Sequence, residues 1–434
     1  MRYYSTNGEI EPVSFQEALF KGLPADNGLF MPELVPQLSE DFFSSLGKTS
    51  LPEMAFEVLA PYISDEIPSS KLSEIVEDTL NFEIPIKEVE KDVFTLELFH
   101  GPTLAFKDVG ARFMARCFAH FLSLEQKRIT ILVATSGDTG SAVANGFYNV
   151  NGIDVVVLYP KGMVSEIQEK QMTTLGENIT CLEVSGTFDD CQRMVKQAFL
   201  DGDLNERLNL SSANSINIAR LLPQSVYYFW AFAQLGQVDQ DVIVSVPSGN
   251  YGNLTAGLLA KKMGLPINHF VAASNANDIV PKYLHTGTFE PKPSLSTISN
   301  AMDVGNPSNF ARMSALYQKP VALMKDDISG YSYQDDDTKD TLKQVNEKSG
   351  YLLDPHGAVG YLGLKEHIKY NKGIGIFLET AHPSKFKGVV EDATGQAITL
   401  PETLESAIKK DKRSIPIAGA FEEFKDFLFQ KESA

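Results

Sequence analysis

The chain has 434 residues, of which 43% are hydrophobic and 22% are charged, and it carries a formal net charge of −18. This length provides for roughly two to three domains, each with a buried core. The acidic balance argues against nucleic acid as a general partner, because a polyanion would be repelled. A local basic pocket for a small phosphorylated metabolite is compatible with the same balance.

Cysteine and histidine usage argues against disulfides and bound metal. Cys117, Cys181 and Cys191 form no C-x-x-C pair, and the seven histidines show no metal-ligand spacing. The N-terminus is polar, without a signal-peptide core, and the apolar runs are too short to span a bilayer. We therefore expect a cytoplasmic protein with no resident metal and no membrane association.

The pattern of elements changes along the chain. Residues 1–90 have apolar residues at helical spacing and predict a mainly helical domain. From about residue 93, strands alternate with helices, and we expect one α/β domain over 91–240 and another over 241–434. The predicted strands are 93–98, 129–134, 153–159, 242–246, 270–274 and 375–379, and the predicted helices of this part are 113–124, 141–148 and 254–263. This alternation indicates parallel sheets that bind ligands at the carboxyl ends of their strands.

One lysine follows a Gly-Pro turn and a short apolar run, in the sequence HGPTLAFKD at 100–108. An amine enclosed by such residues loses hydration, and desolvation favours its neutral, nucleophilic form. A lysine needs that form to make a Schiff base with a carbonyl cofactor. Lys107 is therefore a candidate for a covalent cofactor link, although a surface lysine at a helix start is the commoner interpretation of one lysine taken alone.

Two loops rich in small residues each follow a predicted strand and open a predicted helix. The loop 135–140 (TSGDTG) can bind negative charge at a helix N-terminus, and a tight strand-to-helix turn explains it equally well. The loop 247–257 (PSGNYGNLTAG) places glycines and asparagines where backbone amides can surround a phosphate. Its spacing fits neither the dinucleotide fingerprint nor the Walker sequence, so it predicts a phosphate site of another kind.

Further polar segments are candidates for ligand contact. Thr380 follows a predicted strand, where a hydroxyl can bond a ring nitrogen or simply satisfy a turn. Arg220 can clamp a phosphate or carboxylate through two N–H groups, or form an ion pair at a helix start. The loop with Asp303 has no assigned role, and His356 can be either a ligand contact or a capping histidine.

The lysine, the second loop and Thr380 together supply what pyridoxal phosphate needs. An enclosed amine binds the aldehyde, backbone amides bind the 5′-phosphate, and a hydroxyl at a strand end meets the pyridine nitrogen. The combination therefore predicts a pyridoxal phosphate enzyme.

These motifs resemble the threonine synthase family of fold-type-II pyridoxal phosphate enzymes. The glycine loops alone fit any enzyme of fold type II, whereas the segments 23–32 (LPADNGLFMP) and 299–305 (SNAMDVG) make the resemblance specific. It runs from the first residues to about residue 390. It implies a tryptophan synthase β-like α/β fold with a helical N-terminal domain, and the conversion of O-phospho-L-homoserine and water to L-threonine and phosphate by β,γ-elimination and hydration.

The resemblance also implies a role for each candidate residue. Lys107 would hold the cofactor and then act as acid and base, and Thr380 would face the pyridine nitrogen. The cofactor phosphate would bind to Ser248, Gly249, Asn250, Gly252 and Asn253. The substrate carboxylate would lie on Thr135, Ser136, Gly137, Asp138 and Thr139, and the substrate phosphate would meet Ser215, Asn217 and Arg220. Many relatives in the wider fold have Asn where this chain has Asp138, which leaves a contact of Asp138 with the ring hydroxyl open.

Two alternatives stay open from the sequence. Another fold-type-II lyase, such as a threonine dehydratase, would share Lys107 and the phosphate site but would not need to bind a substrate phosphate. A non-catalytic protein that binds a phosphorylated metabolite would need only the glycine-rich loop.

Overall fold

The computed structural model describes residues 1–125, 127–318 and 321–432, and within them the strands form three sheets. The strands are β1 (Tyr3–Ser5), β2 (Phe30–Pro32), β3 (Ile86–Glu90), β4 (Val93–Glu97), β5 (Ile129–Ala134), β6 (Ile153–Pro160), β7 (Ile179–Ser185), β8 (Leu210–Ser212), β9 (Val242–Pro247), β10 (His269–Ser274), β11 (Ile328–Ser332), β12 (Ile374–Glu379) and β13 (Ile415–Ala418).

The helices cover the faces of these sheets, and the first four of them lie in the N-terminal region. They are α1 (Phe15–Lys21), α2 (Glu40–Ser45), α3 (Leu51–Ile63), α4 (Ser69–Thr79), α5 (Lys107–Glu125), α6 (Asp138–Gly146), α7 (Glu166–Thr173), α8 (Phe188–Leu200), α9 (Gly202–Arg207), α10 (Ile218–Leu221), α11 (Val226–Leu235), α12 (Gly252–Lys262), α13 (Ile279–Thr286), α14 (Phe310–Leu316), α15 (Val321–Asp327), α16 (Asp335–Ser349), α17 (Pro355–Ile368), α18 (Lys387–Thr394), α19 (Glu402–Ile408) and α20 (Phe421–Glu432). Short 3-10 turns add Leu46–Lys48, Leu222–Ser225, Asn300–Met302 and Pro383–Phe386.

The larger sheet has the strand order β11-β10-β9-β12-β4-β3. Its neighbours pair in parallel except β3, which is antiparallel to β4. Every residue of β9 and β12 is buried, because both faces of these apolar strands are covered. The carboxyl ends of β9, β12 and β4 therefore lie side by side at one edge of the sheet.

The second large sheet has the order β13-β7-β6-β5-β8, and all of its pairs are parallel. The short β1, which precedes α1, pairs antiparallel with β2, which lies between α1 and α2, and the two form a separate sheet in the N-terminal region. All six predicted strands are present to within about one residue at each end, and the three predicted helices of the α/β part overlap α5, α6 and α12. Two parallel sheets with a helical N-terminal region agree with the predicted fold class.

Two strands pair outside the consecutive range in which the sequence prediction placed them. Strand β4, from the range 91–240, pairs with β12, and β13, from the range 241–434, pairs with β7. Parallel partners need a crossover connection, so they lie far apart in the sequence, and periodicity does not reveal the pairing. The ranges 91–240 and 241–434 therefore do not coincide with the two sheets.

The three cysteines are buried and free of disulfides. Over the described ranges, no helix combines the length and the apolar character that crossing a bilayer requires.

Candidate active site

A cavity of about 320 Å³ lies at the carboxyl ends of β9, β12 and β4. Its size falls within the range of small-molecule sites in proteins. Its wall includes many of the predicted site residues, namely Lys107, Thr135, Ser136, Thr139, Ser215, Arg220, Gly249, Asn250, Gly252, Asn253 and Thr380.

Lys107 and Thr380 are held on one wall by backbone hydrogen bonds between their loops. The Phe106 amide donates to the Thr380 carbonyl at 2.9 Å, and the His382 amide donates to the Leu104 carbonyl at 3.0 Å. Leu104 turns the chain with a φ of 59°, and helix α5 begins at Lys107. The predicted cofactor lysine therefore sits at a helix start, and its position is fixed by the strand-end loop that carries Thr380.

The amine of Lys107 is enclosed and has an unusually low affinity for its proton. Burial lowers the pKa of Lys107 to about 8; the positive charges of Lys385 and Arg220 act in the same direction, and the Asp138 carboxylate opposes them. A substantial fraction of the amine is then neutral at mildly alkaline pH. A lowered pKa of this kind is what a lysine needs to make a Schiff base, the role predicted for Lys107.

The phosphate cup (residues 248–253) joins β9 to the start of helix α12. The first N–H groups of a helix have no intrahelical partner and attract anions, and α12 begins at Gly252 on the cavity wall. A Cβ on Gly252 would meet Asn309 Nδ2 at 3.5 Å, and this buried nitrogen has no partner among the described residues. These open donors fit the phosphate of pyridoxal phosphate.

Side chains within the cup brace its shape. The Ser248 hydroxyl donates to Asn253 Oδ1 at 2.9 Å, and Asn253 Nδ2 donates to the Pro247 carbonyl at 2.8 Å. Asn250 reaches across the cavity: its Nδ2 donates to Ser215 Oγ, and its Oδ1 accepts from the Ser308 amide at 2.6 Å. The Ser248 side chain thus supports the cup rather than pointing at the cavity.

The loop after β5 brings three of its five predicted substrate residues to the cavity. Thr135, Ser136 and Thr139 line it, and Thr135 Oγ1 accepts from the amides of Gly137 at 2.9 Å and Gly140 at 2.8 Å. These bonds fix the turn into helix α6.

Gly137 and Asp138 face helix α7 and a buried lysine instead. A Cβ on Gly137 would lie 2.6 Å from the Gln168 side chain. The Asp138 carboxylate accepts from Gln168 Nε2 at 2.9 Å and lies 2.6 Å from Lys385 Nζ. Burial alone would raise the pKa of Asp138, but the charges of Lys385 and Lys107 and the Gln168 bond hold it well below its usual range. Asp138 is therefore a buried carboxylate beside the site.

The predicted substrate-phosphate residues also divide into two groups. Ser215 and Arg220 line the cavity. Arg220 Nη1 donates to the Ala213 carbonyl, its Nε has no partner within the described part of the chain, and burial lowers its pKa to about 10. Asn217 instead caps helix α10: its Oδ1 accepts from Ala219, and its Nδ2 donates to the carbonyls of Leu19 and Ser212. The structure does not bring Asn217 to the cavity.

Two residues without an assigned role organise the loop around the Asn300–Met302 turn. His356 lines the cavity, and its Nε2 accepts from the Ala301 amide at 3.2 Å. Asp303 accepts from Thr297 Oγ1 at 2.7 Å and from Asn275 Nδ2 at 2.9 Å, and burial raises its pKa to about 6. Both side chains thus hold the backbone of this loop against the cavity.

The sequence reasoning missed Lys385 and Arg312. Arg312 is fully buried and donates to the carbonyls of Phe30 at 3.1 Å and Ile216 at 2.6 Å. The sequence around a single arginine or lysine does not reveal such partners, because the partners come from distant segments.

The described residues contain no group of three or more His, Cys, Asp or Glu side chains that could hold a metal ion.

Family models match successive parts of the chain. The models described as "Threonine synthase N terminus", "Pyridoxal-phosphate dependent enzyme" and "Threonine synthase, C-terminal" match residues 2–80, 80–378 and 357–428. Threonine synthase from Haemophilus influenzae is 49% identical over 406 residues, which are 93% of this chain and 94% of that protein. This chain belongs to the threonine synthase family.

Solved structures agree with this membership. The crystal structure of threonine synthase from Escherichia coli has a TM-score of 0.94 at 44% identity and covers 99% of this chain and 100% of that chain. The structure of threonine synthase from Brucella melitensis with bound pyridoxal phosphate has a TM-score of 0.94 at 36% identity, with 100% of both chains covered. The predicted family, the fold-type-II class and the dependence on pyridoxal phosphate are confirmed, and the dehydratase and non-catalytic alternatives are not favoured.

Proposed function

We propose that this protein converts O-phospho-L-homoserine and water to L-threonine and phosphate as a cytoplasmic, pyridoxal phosphate-dependent lyase. One observation carries the proposal: Lys107, the start of helix α12 and Thr380 meet at the ends of neighbouring strands around one cavity. Membership of the threonine synthase family supports an amino-acid phosphate as the substrate.

The cofactor would be held by three parts of one sheet edge. The Lys107 amine would bind the aldehyde, the amides of the cup with Asn309 Nδ2 would bind the phosphate, and the Thr380 hydroxyl would meet the ring nitrogen. When bound, pyridoxal phosphate supplies an aldehyde that links covalently to amines and a conjugated ring that stabilises negative charge at Cα.

Lys107 is then the group that moves the Cα proton. Its neutral amine accepts the proton from Cα of the substrate, and its protonated form returns a proton when threonine is released. The pKa of about 8 suits both directions, because an acid–base group works best when its pKa lies near the working pH.

The substrate would be oriented by two anion sites on the opposite wall. The hydroxyls of Thr135, Ser136 and Thr139, at the start of helix α6, would bind the carboxylate. Arg220 and Ser215 would bind the phosphate, and the positive charge of Arg220 can stabilise the charge that grows as the phosphate leaves.

Borohydride reduction of the holoenzyme, followed by peptide mapping, tests the proposal. We expect the reduced cofactor on Lys107, and we expect the Lys107→Ala variant to lose phosphate release from phosphohomoserine by about 10³-fold or more. Lys292 lines the same cavity and gives a matched control: the Lys292→Ala variant is expected to keep the label on Lys107.

Two results would contradict the proposal. A label on a lysine other than Lys107 would refute the assigned cofactor site. Ammonia and a keto acid released from threonine, without phosphate release from phosphohomoserine, would instead identify a dehydratase.

A further inference from the structure

Lys385 and Asp138 form an ion pair with almost no exposure to solvent, directly behind the wall that carries Lys107. Lys385 Nζ lies 2.6 Å from Asp138 Oδ1, and the two side chains are 0% and 4% exposed. Lys385 Nζ also donates to the Thr103 carbonyl at 2.9 Å. Two charges taken out of water are costly unless each is compensated, so this pair calls for an explanation.

Without Lys385, the charge of the Asp138 carboxylate would act on Lys107 with less opposition. The Asp138 carboxylate acts on Lys107 and favours the protonated amine, because an opposite charge nearby stabilises a cation. A protonated Lys107 can neither attack an aldehyde nor accept the Cα proton. The ammonium group of Lys385 pairs with the Asp138 carboxylate at contact distance. Its positive charge therefore opposes the stabilisation of protonated Lys107 by Asp138.

We propose that Lys385 is a positioning residue that neutralises Asp138 and thereby leaves Lys107 free to lose its proton. The proposal rests on the proposed function, because it assigns Lys385 to the task that Lys107 performs. Lys385 acts mainly by pairing with Asp138, its own positive charge acts on Lys107 in the same direction, and its side chain lies outside the cavity lining.

The placement of Lys385 separates this role from ligand binding. Its side chain has no exposed surface, and its donors are directed at Asp138 and Thr103. The cavity is lined by Lys107, Lys292 and Arg220 as basic residues among the described part of the chain, and Lys385 lies outside this lining. A phosphate or carboxylate in the cavity would thus meet other cations.

The other charged groups near Lys107 either have hydrogen-bond partners of their own or line the cavity. Arg220 disfavours the protonated amine, as Lys385 does. Asp108 is bonded to the amide and hydroxyl of Thr103 at 2.9 and 2.6 Å. Asp189, Lys292, Asp303 and His356 also line the cavity. Asp138 is therefore the carboxylate whose charge most affects Lys107.

The titration of Lys107 in the full-length protein, reversibly freed of cofactor, tests the proposal. Trace acetylation across about pH 6 to 10, read by mass spectrometry of the Lys107 peptide, gives the midpoint at which the amine becomes reactive. Reloading with pyridoxal phosphate, followed by absorbance, shows that each variant has kept its fold. We expect a midpoint near 8 in the unaltered protein.

The Lys385→Met variant should raise this midpoint by about one pH unit, because Asp138 then acts on Lys107 alone. Lys385→Arg keeps the charge and should keep the midpoint. The Lys385→Met/Asp138→Asn double variant removes both charges and should return the midpoint to near that of the unaltered protein, even where Lys385→Met alone folds poorly.

Gln171 provides a matched control, because its Nε2 donates at 3.0 Å to the same Thr103 carbonyl as Lys385 without carrying a charge. The Gln171→Met variant should leave the midpoint in place. An unchanged midpoint in Lys385→Met, or an equal rise in Gln171→Met, would overturn the inference. A borohydride label on another lysine would refute the proposed function instead, so the two failures are distinguishable.

Discussion

The two walls of the cavity are built in different ways. On the wall that we propose to hold the cofactor (the cofactor wall), the loops that follow β4 and β12 are joined to each other by backbone hydrogen bonds, and the Ser248 amide is bonded to the Ala273 carbonyl of the same sheet. On the wall that we propose to bind the substrate (the substrate wall), loops from the other sheet meet the cofactor wall through side chains, as in the Asn250–Ser215 and Lys385–Asp138 contacts. The fold itself fixes the cofactor wall, whereas individual side chains fix the substrate wall. We infer that substrate specificity can change without loss of the cofactor site.

We expect the largest loss of stability and cofactor affinity at Gly249, where the cofactor wall leaves no room for a Cβ atom. A Cβ on Gly249 would lie 2.5 Å from Met302 Cα, so Gly249→Ala must displace the backbone of the cup. Such overpacking costs about 1–3 kcal/mol, and cofactor affinity should fall with it. Thermal unfolding and titration with pyridoxal phosphate measure both effects.

Gly252→Ala is the matched control for this substitution, since its new Cβ would meet Asn309 only at 3.5 Å, an ordinary contact. We expect a clearly smaller loss of stability. Equal losses at Gly249 and Gly252 would show that the cofactor wall is not fixed by close backbone packing.

An intermediate effect is expected at the substrate loop. Thr135→Val removes the oxygen that accepts from the Gly137 and Gly140 amides, and each unsatisfied buried donor costs about 1–3 kcal/mol. The KM for phosphohomoserine should rise while the cofactor absorbance is retained. Steady-state kinetics with an absorbance spectrum check this.

Thr135→Ser keeps the acceptor and should restore most of the substrate affinity. Loss of cofactor absorbance in Thr135→Val, with an unchanged KM in molecules that stay loaded, would contradict the division between the two walls.

The smallest effect is expected at the side-chain link between the walls. Ser215→Ala removes the acceptor of the Asn250 amide nitrogen and should raise KM by a factor that corresponds to about 1 kcal/mol. Cofactor affinity should not change.

Ser308→Ala is a milder control, because the Ser308 amide keeps its 2.6 Å bond to Asn250 Oδ1 when the hydroxyl at 3.0 Å is lost. A larger effect of Ser308→Ala than of Ser215→Ala on KM would argue that Asn250 does not couple the walls through Ser215.

The segments of the cavity wall that could be predicted from the sequence are the local ones. Lys107, the cup and Thr380 each sit in one short segment at a strand end, and a strand followed by a glycine-rich turn and a helix is a pattern that single segments carry. The element types were predictable for the same reason, because burial on both faces gives β9 and β12 continuous apolar runs.

The remaining features depend on contacts between distant segments. Asn217 has the residue type of a phosphate ligand, but its position before α10 makes it a helix cap. Lys385 is one lysine in a turn, and only the fold shows that its partner is Asp138. Strand β13 in the last forty residues is short and mostly exposed, so it has no apolar periodicity to detect.

The interleaving of the two sheets has a consequence for how the chain is made. The six-stranded sheet lacks a central strand until β12 has left the ribosome, and the five-stranded sheet lacks one edge until β13 follows. Neither sheet can therefore be completed until its C-terminal strand has emerged, whereas domains of many proteins complete their sheets from consecutive segments during synthesis. The many contacts between residues far apart in the sequence also slow folding. Until β12 and β13 emerge, the nascent chain thus exposes unpaired strand edges, the state in which chaperones protect a chain from aggregation.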